Sequence, residues 1–310
     1  MNCYNGGKYL LEAIDSIYAQ TYKNWEIIFW DNMSTDNSSK IAKSYDGKLK
    51  YFKGEKYVSL GAARALAVDK ANGEWLAFLD TDDLWYPDKL EKQICAVSNS
   101  EYSLCYAGIK AIYENGKHHV TVFPQQKEGL MIGRLLVNWD IDMVTPIVRR
   151  SSLLKHKINF DPNIYGSEEI NLFLRLAAKE PFIVLKDVLG VSRHVKGSVT
   201  SRVSDKWYQD YEYTLNQLVL ENPGIDSLLQ KEFSLARMKV SYLRAKHYAI
   251  IGNVAEARKS MKKIPLHKFH YTVLRLSLYL PFGWRLIHFA LDRMKIRYLI
   301  RWIRCVFYLK

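Results

Sequence analysis

Residues 1–80 alternate between short apolar runs and stretches of helical periodicity, and few folds accommodate that order. The runs at 26–30, 49–52 and 75–79 have strand length. Leu10, Ala13, Ile14 and Ile17 recur at helical spacing within 8–21, a further helix is expected over 38–45, and the alanines and Leu66 of 61–71 suit a helix packed closely on a sheet. Such a series predicts an α/β fold in which helices cover a parallel sheet. Residues 1–7 read as a polar turn with no strand before it. Residues 75–79 read as a buried parallel strand, and residues 141–149 read as a further strand in the second half. The carboxyl end of 75–79, where α/β proteins place ligands, runs into Asp80, Thr81, Asp82 and Asp83.

Carboxylates this close repel one another and resist burial unless a cation offsets them. The Asp80-x-Asp82 spacing suits a hard divalent ion, Mn²⁺ or Mg²⁺, which takes oxygen ligands and shares them with substrate phosphates. A solvated acidic loop capping a helix that begins near Pro87 is the alternative.

The chain has 310 residues, 48% hydrophobic and 25% charged, which is globular composition with length for one large or two smaller domains. Its net charge of +13 is confined to one end: residues 231–310 hold 18 Lys/Arg against 3 Asp/Glu, whereas residues 1–230 hold 27 against 29. A basic tail suits an anionic partner surface, either lipid headgroups or nucleic acid. Acidic clefts repel nucleic-acid phosphate, so the aspartate turn speaks against a basic nucleic-acid-binding protein. Cys3, Cys95, Cys105 and Cys305 form neither a CxxC pair nor a regular framework, which points to reduced thiols and a cytoplasmic setting. No signal peptide is read at the start. The segment nearest to membrane-spanning character, 271–291, contains Arg275, Pro281 and Arg285.

YNGGKYLLEAIDSIYAQTYKNWEIIFWDNMSTDNS, then LGAARALA, then FLDTDDLW, resemble glycosyltransferase family 2. The likeness is dense over 1–95, recurs at 160–177 in FDPNIYGSEEINLFLRLA, and is much weaker beyond Ser204. It implies a GT-A (Rossmann-like) mixed, mostly parallel sheet flanked by helices over 1–204, followed by a basic helical region over 205–310. It further implies a metal-dependent, inverting enzyme that moves a sugar from a nucleotide diphosphate to a hydroxyl. A UDP-sugar is the commonest donor in the family, and a saccharide or lipid-linked acceptor of a bacterial surface polymer is expected. Family members carry a strand ahead of Asn2 that is not found here, so a catalytically impaired nucleotide-sugar-binding protein is the competing expectation.

The resemblance assigns roles residue by residue. Tyr4 would lie against the nucleobase, with ordinary packing as the alternative, and Asn2 would hydrogen-bond the base or ribose. Asp31 matches the base-recognising aspartate, and a helix cap with Asn32 and Ser34 is an alternative that can coexist with that role. Arg64 would engage the nucleotide or its diphosphate through paired hydrogen bonds, unless it marks a solvated helix face. Asp80 would serve both nucleotide and metal, Asp82 the metal, and Asp83 the metal shell or donor sugar. In 160–177 the family's general base falls on Glu169, one methylene longer than the usual aspartate, with Glu168 as runner-up and Asn171 where another acid is common. Ser167, Glu168 and Glu169 also suit the amino end of a helix for reasons of capping and dipole alone. Arg193 and His194, read in a loop after the apolar segment 182–191, match residues that close over the diphosphate.

Beyond 205 the periodicity predicts helices over 207–220, 227–251, 254–264 and 284–309. In the last, Arg293, Arg297, Arg301 and Arg304 share one face while apolar and aromatic residues fill much of the rest. Such a helix can lie in an anionic membrane interface, on the inner face of the cytoplasmic membrane in this reading, or it can dock on the catalytic domain.

Overall fold

In the computed structural model, which describes residues 1–113, 119–194, 207–265 and 275–280, the apolar runs build two sheets rather than one. In chain order the strands are β1 (Asn2–Cys3), β2 (Ile27–Asp31), β3 (Leu49–Lys53), β4 (Trp75–Ala77), β5 (Leu84–Trp85), β6 (Leu104–Tyr113), β7 (His119–Val122), β8 (Ile147–Arg149) and β9 (Phe182–His194). The helices are α1 (Gly7–Tyr18), α2 (Ser38–Ala42), α3 (Leu60–Val68), α4 (Lys89–Val97), α5 (Ile132–Val137), α6 (Arg150–His156), α7 (Glu168–Ala177), α8 (Trp207–Glu221), α9 (Ile225–Leu228), α10 (Gln230–Ile250) and α11 (Val254–Lys262). Two compact units result: Met1–Ser204 with Tyr213–Phe233, and Asp205–Glu212 with Ser234–Lys310.

The first sheet is three-stranded and parallel, ordered β1-β2-β3. All five residues of β2 are buried, as expected of a strand covered on both faces. α1 covers one face with Leu10, Ala13, Ile14 and Ile17, which pack with Ile27 and Phe29, and Ala63 and Ala67 of α3 pack with Ile28 and Trp30. α1 gives way to the next segment at Gln20. Its side-chain amide donates to the Ser16 and Tyr86 carbonyls and its carbonyl accepts from Leu90 N, which fixes α1 to the start of α4.

The second sheet is six-stranded and mixed, ordered β4-β8-β6-β9-β5 with β7 beside β6. β6 and β9 run parallel over most of their lengths, while β4 with β8, β5 with β9, and β6 with β7 and β8 are antiparallel.

Four local expectations change. Residues 2–3 do form a strand, in register with Trp30 and Asp31, because Trp30 N donates to Met1 O and Asn32 N to Cys3 O. The strand at 75–77 is antiparallel to its neighbour β8. Of 141–149 only Ile147–Arg149 is strand, since Asp142 accepts from Val144 N through its side chain and from Thr145 N through its carbonyl, which makes a turn. Arg193 and His194 belong to the end of β9, held opposite Ile112 and Tyr113 of β6.

In the second unit, Met238 and Ala245 of α10 pack with Ala257 and Met261 of α11 and with Ile264 and Leu278. The helices expected over 207–220, 227–251 and 254–264 correspond to α8, α10 and α11. The arginine-striped segment 284–309 lies outside the described residues. No described helix is long and apolar enough to cross a membrane.

Candidate active site

The aspartate turn follows β4 and is closed by Asp83 N donating to Asp80 O at 3.3 Å. Glycine lets the chain after β1 approach it: a Cβ on Gly6 would stand 2.5 Å from Thr81 Oγ1. Immediately after the turn, β5 pairs with β9, Leu84 opposite Val191 and Trp85 opposite Gly190. That register carries Arg193 N to 2.8 Å from Asp83 Oδ1.

A second close approach brings in the acid pair. A Cβ on Gly61 would lie 2.8 Å from the Asp161 carbonyl, so α3 packs directly on the loop leading to α7. Arg64, one turn along α3, then reaches both groups: Nη1 donates to Glu168 Oε1 at 2.6 Å, and Nη2 to the Asp80 carboxylate at 2.7 and 2.9 Å. The Arg64 and Glu168 side chains are 7% and 3% exposed, and that of Asp80 38%. Burial opposes the guanidinium charge, but Asp80, Glu168 and Glu169 more than offset it, so Arg64 is held firmly cationic. Arg64 thus bridges the aspartate turn and the start of α7 through both Nη atoms.

The surrounding acids are under strain of charge. Burial, then Asp80, pushes Asp82 up to about 6. The same two causes raise Asp83 well above the usual range, although Arg193 N opposes them. Glu169, partly exposed, is raised by burial and by Glu168 beside it, with Arg64 opposing. Among the described residues no group of three or more metal-binding side chains is arranged around a common point. The donor chemistry nevertheless fits a hard cation, because Asp82 and Asp83 are penalised in their charged forms and a divalent ion would relieve that penalty.

Other anticipated residues lie as follows. Tyr4 is 54% exposed and meets the exposed Tyr57 edge-on at 4.7 Å, so two aromatic faces stand at the end of β1. Asp31 is fully buried, with Oδ1 accepting from Ser34 N and Oδ2 from Tyr51 OH. The cap it makes is on a turn rather than on a helix, since α2 begins only at Ser38, and Tyr51 completes its shell. Asn2 faces an internal groove, and its amide nitrogen is buried without a hydrogen-bond partner. Arg193 donates to Glu12 and covers the Tyr9 ring, while exposed His194 stacks on Tyr113 at 4.7 Å. Asn171, where an acid was anticipated, is buried and donates to Thr214 Oγ1 and Gln217 Oε1, fastening α7 to α8.

Asp142 is a site residue that sequence reasoning missed. Its pKa is raised by burial, it receives a hydrogen bond from the Ser192 side chain, and the charges of His194 and Asp80 act on it. The only local signal was a second Asp-x-Asp, Asp140 and Asp142, hidden inside a stretch with the apolar character of a strand. Asp140 faces elsewhere, accepting from Tyr106 OH, Gln125 N and Gln126 N.

Residues 1–153 match the family model described as Glycosyl transferase family 2. An uncharacterized glycosyltransferase of Rickettsia typhi is 31% identical over 214 residues, covering 67% of each chain. The E. coli UDP-Glc:alpha-D-GlcNAc-diphosphoundecaprenol beta-1,3-glucosyltransferase WfgD is 32% identical over 154 residues, 49% of this chain and 60% of that protein. The chain spans 40% of the length of an uncharacterized glycosyltransferase of Rickettsia felis, at 28% identity. Among solved structures, S. aureus TarS 1–349 in complex with UDP-GlcNAc superposes with a TM-score of 0.63 at 19% identity, covering 91% of this chain and 85% of TarS. The mannosyltransferase PcManGT of Pyrobaculum calidifontis, with GDP-Man and Mn²⁺, gives 0.62 at 13% identity, covering 99% and 83%. At these identities the structures establish likeness of fold.

Proposed function

Because the chain belongs to glycosyltransferase family 2 and has the GT-A fold, we propose that it transfers a sugar from a nucleotide diphosphate to an acceptor hydroxyl with inversion. One observation carries this reading: Arg64 joins the aspartate turn to the paired acids of α7, so donor-side and acceptor-side chemistry share one site. Tyr4 and Tyr57 offer stacking faces for a nucleobase. Asp82, assisted by Asp80, would hold Mn²⁺ or Mg²⁺, which neutralises charge on a departing nucleoside diphosphate. Asp83 orders the end of β9, and Arg193 and His194 there stand beside the diphosphate. Glu169 takes the proton of the acceptor hydroxyl as that oxygen attacks the anomeric carbon. Glu168, neutralised by Arg64, holds the guanidinium in place and leaves the base role to its neighbour.

A UDP-sugar donor and a lipid-linked saccharide acceptor agree with the substrates in the names of WfgD and the TarS complex. In this reading the chain serves synthesis of a bacterial surface polysaccharide on the inner face of the cytoplasmic membrane. The GT-A domain of 1–204 is the catalytic part in this reading, and the basic region 205–310 is the part that meets an anionic surface. Thermal-shift screening of UDP- and GDP-sugars with and without Mn²⁺, followed by assay of donor consumption, tests the proposal. The expected result is a Mn²⁺-dependent shift by one donor that Asp82→Ala abolishes without lowering the ligand-free melting temperature. Full activity of Asp82→Ala in excess Mn²⁺ would refute the metal role. Donor binding without turnover would favour an impaired nucleotide-sugar binder, a reading to which the engagement of Asp80 by Arg64 lends support.

A further inference from the structure

The turn before β8, residues 142–145, is fastened to β5, α4, β6 and β9. Trp85 Nε1 donates to Val144 O at 2.8 Å, Gln93 Nε2 to Thr145 O at 2.9 Å, and Thr145 Oγ1 to Ala107 O at 3.1 Å. Gln93 is fully buried, and so is Lys89, whose Nζ donates to Gln93 Oε1 at 2.7 Å and thereby fixes which way the amide faces. A Cβ on Gly190 would stand 3.0 Å from Val144 Cγ1, so β9 packs directly on the turn. Buried hydrogen bonds in this number make a rigid mount. What it carries is the Asp142 side chain, which is only partly buried, accepts from Val144 N at 3.2 Å and receives the Ser192 hydroxyl.

On the footing of the glycosyltransferase reading above, we propose that Asp142 is a specificity-determining residue for the donor, whose carboxylate accepts a hydrogen bond from a hydroxyl or amide N–H of the sugar being transferred. Place and chemistry both point there. Asp80 is joined to the acids of α7 through Arg64, whereas Asp142 is grouped with Asp83, with His194 and with Ser192 of β9. The acceptor hydroxyl meets Glu169 in the first set, so the second set is left to the sugar that the diphosphate carries. A carboxylate only accepts hydrogen bonds, and Val144 N and Ser192 Oγ use two of its roughly four lone-pair positions. Its ligand must therefore donate. The phosphates of a nucleoside diphosphate offer acceptors alone and are repelled by Asp142 together with Asp80 and Asp83, whereas sugar hydroxyls and acetamido N–H groups donate. A rigidly mounted acceptor discriminates strongly, because a sugar that lacks or misdirects the donor leaves it unpaired. A divalent ion would also be drawn to the carboxylate, and the test separates the two.

The test measures binding and turnover of UDP- and GDP-sugars that differ at single hydroxyls, with bare UDP and GDP as references, by the parent chain and by Asp142→Ala over a range of Mn²⁺ concentrations. Asp142→Ala is expected to lower kcat/KM for the preferred donor by about 10- to 100-fold, the scale of a hydrogen bond to a charged group. Its preference for that donor over the epimer should shrink by the same factor, while affinity for the bare nucleotide, Mn²⁺ dependence and the urea unfolding midpoint remain those of the parent. Should the Ala variant fail to fold, Asp142→Asn, which keeps an oxygen for Val144 N, is judged by the same ratio. Parental discrimination among donors would overturn the proposal. So would a loss of bare-nucleotide affinity or a raised Mn²⁺ requirement in place of lost discrimination, which would assign Asp142 to the metal shell. In both of these outcomes the parent still transfers sugar and the glycosyltransferase reading stands, whereas a parent chain that binds no nucleotide sugar at all would remove both.

Discussion

At the scale of single residues, Arg64 and Glu169 make opposite predictions. Arg64 and Glu168 are both almost fully buried, so removing one strands the other's charge. Arg64→Met is expected to cost about 3–5 kcal/mol in urea unfolding, and Arg64→Met combined with Glu168→Leu to recover part of it. A parent-like unfolding midpoint for Arg64→Met would show that the bridge is not structural. Glu169→Gln, by contrast, should not destabilise the fold and should reduce transfer by about 100-fold or more, the scale of general-base catalysis. The pH dependence follows from its raised pKa. The folded protein holds this proton more tightly than the unfolded chain does, so the Glu169 contribution to stability falls as pH rises from the ordinary carboxylate range through the raised value. Transfer requires the anion, so activity rises through the same window, and a pH–rate profile that is flat there would remove Glu169 as the base.

At the scale of elements, packing of α3 on the loop before α7 decides whether the site assembles. Gly61→Val should drive Cγ atoms into the Asp161 carbonyl, which a Cβ alone would already meet at 2.8 Å, and cost about 1–3 kcal/mol. Because the displacement separates Arg64 from Glu168, donor turnover should fall with stability, measured as thermal midpoint and donor consumption on one preparation. Much of this was legible in sequence. Leu10, Ala13, Ile14 and Ile17 gave α1 its buried face, and helical periodicity marked out α8, α10 and α11, although the helix expected over 227–251 ran across the break between α9 and α10. Strand direction was not legible, since an apolar run such as 75–77 is the same string whichever way its neighbour runs. Nor was the loss of strand over 141–146, where one Asp side chain bends back to Val144 N.

At the scale of the whole molecule, charge asymmetry yields its own expectation. With 18 Lys/Arg against 3 Asp/Glu in residues 231–310, the full chain should float with anionic liposomes at low salt and release at high salt. Absence of binding at both salt concentrations would dispose of the membrane proposal.

The sequence by itself determined the α/β alternation, the aspartate turn after β4, the acid pair opening α7 and the basic tail, because periodicity, spacing and charge are local properties of the string. Tertiary structure alone decided which of those groups meet. Asp31 was readable as a strand-end acid, yet Tyr51, twenty residues on, claims its second oxygen. Arg64 was readable as a purposeful cation, yet its partner Glu168 lies 104 residues away. Asp142 became visible only when a turn brought it beside Ser192 and His194. The reason is physical: a buried charge is placed by whatever offsets it, and that partner is chosen by packing across the fold rather than by proximity along the chain.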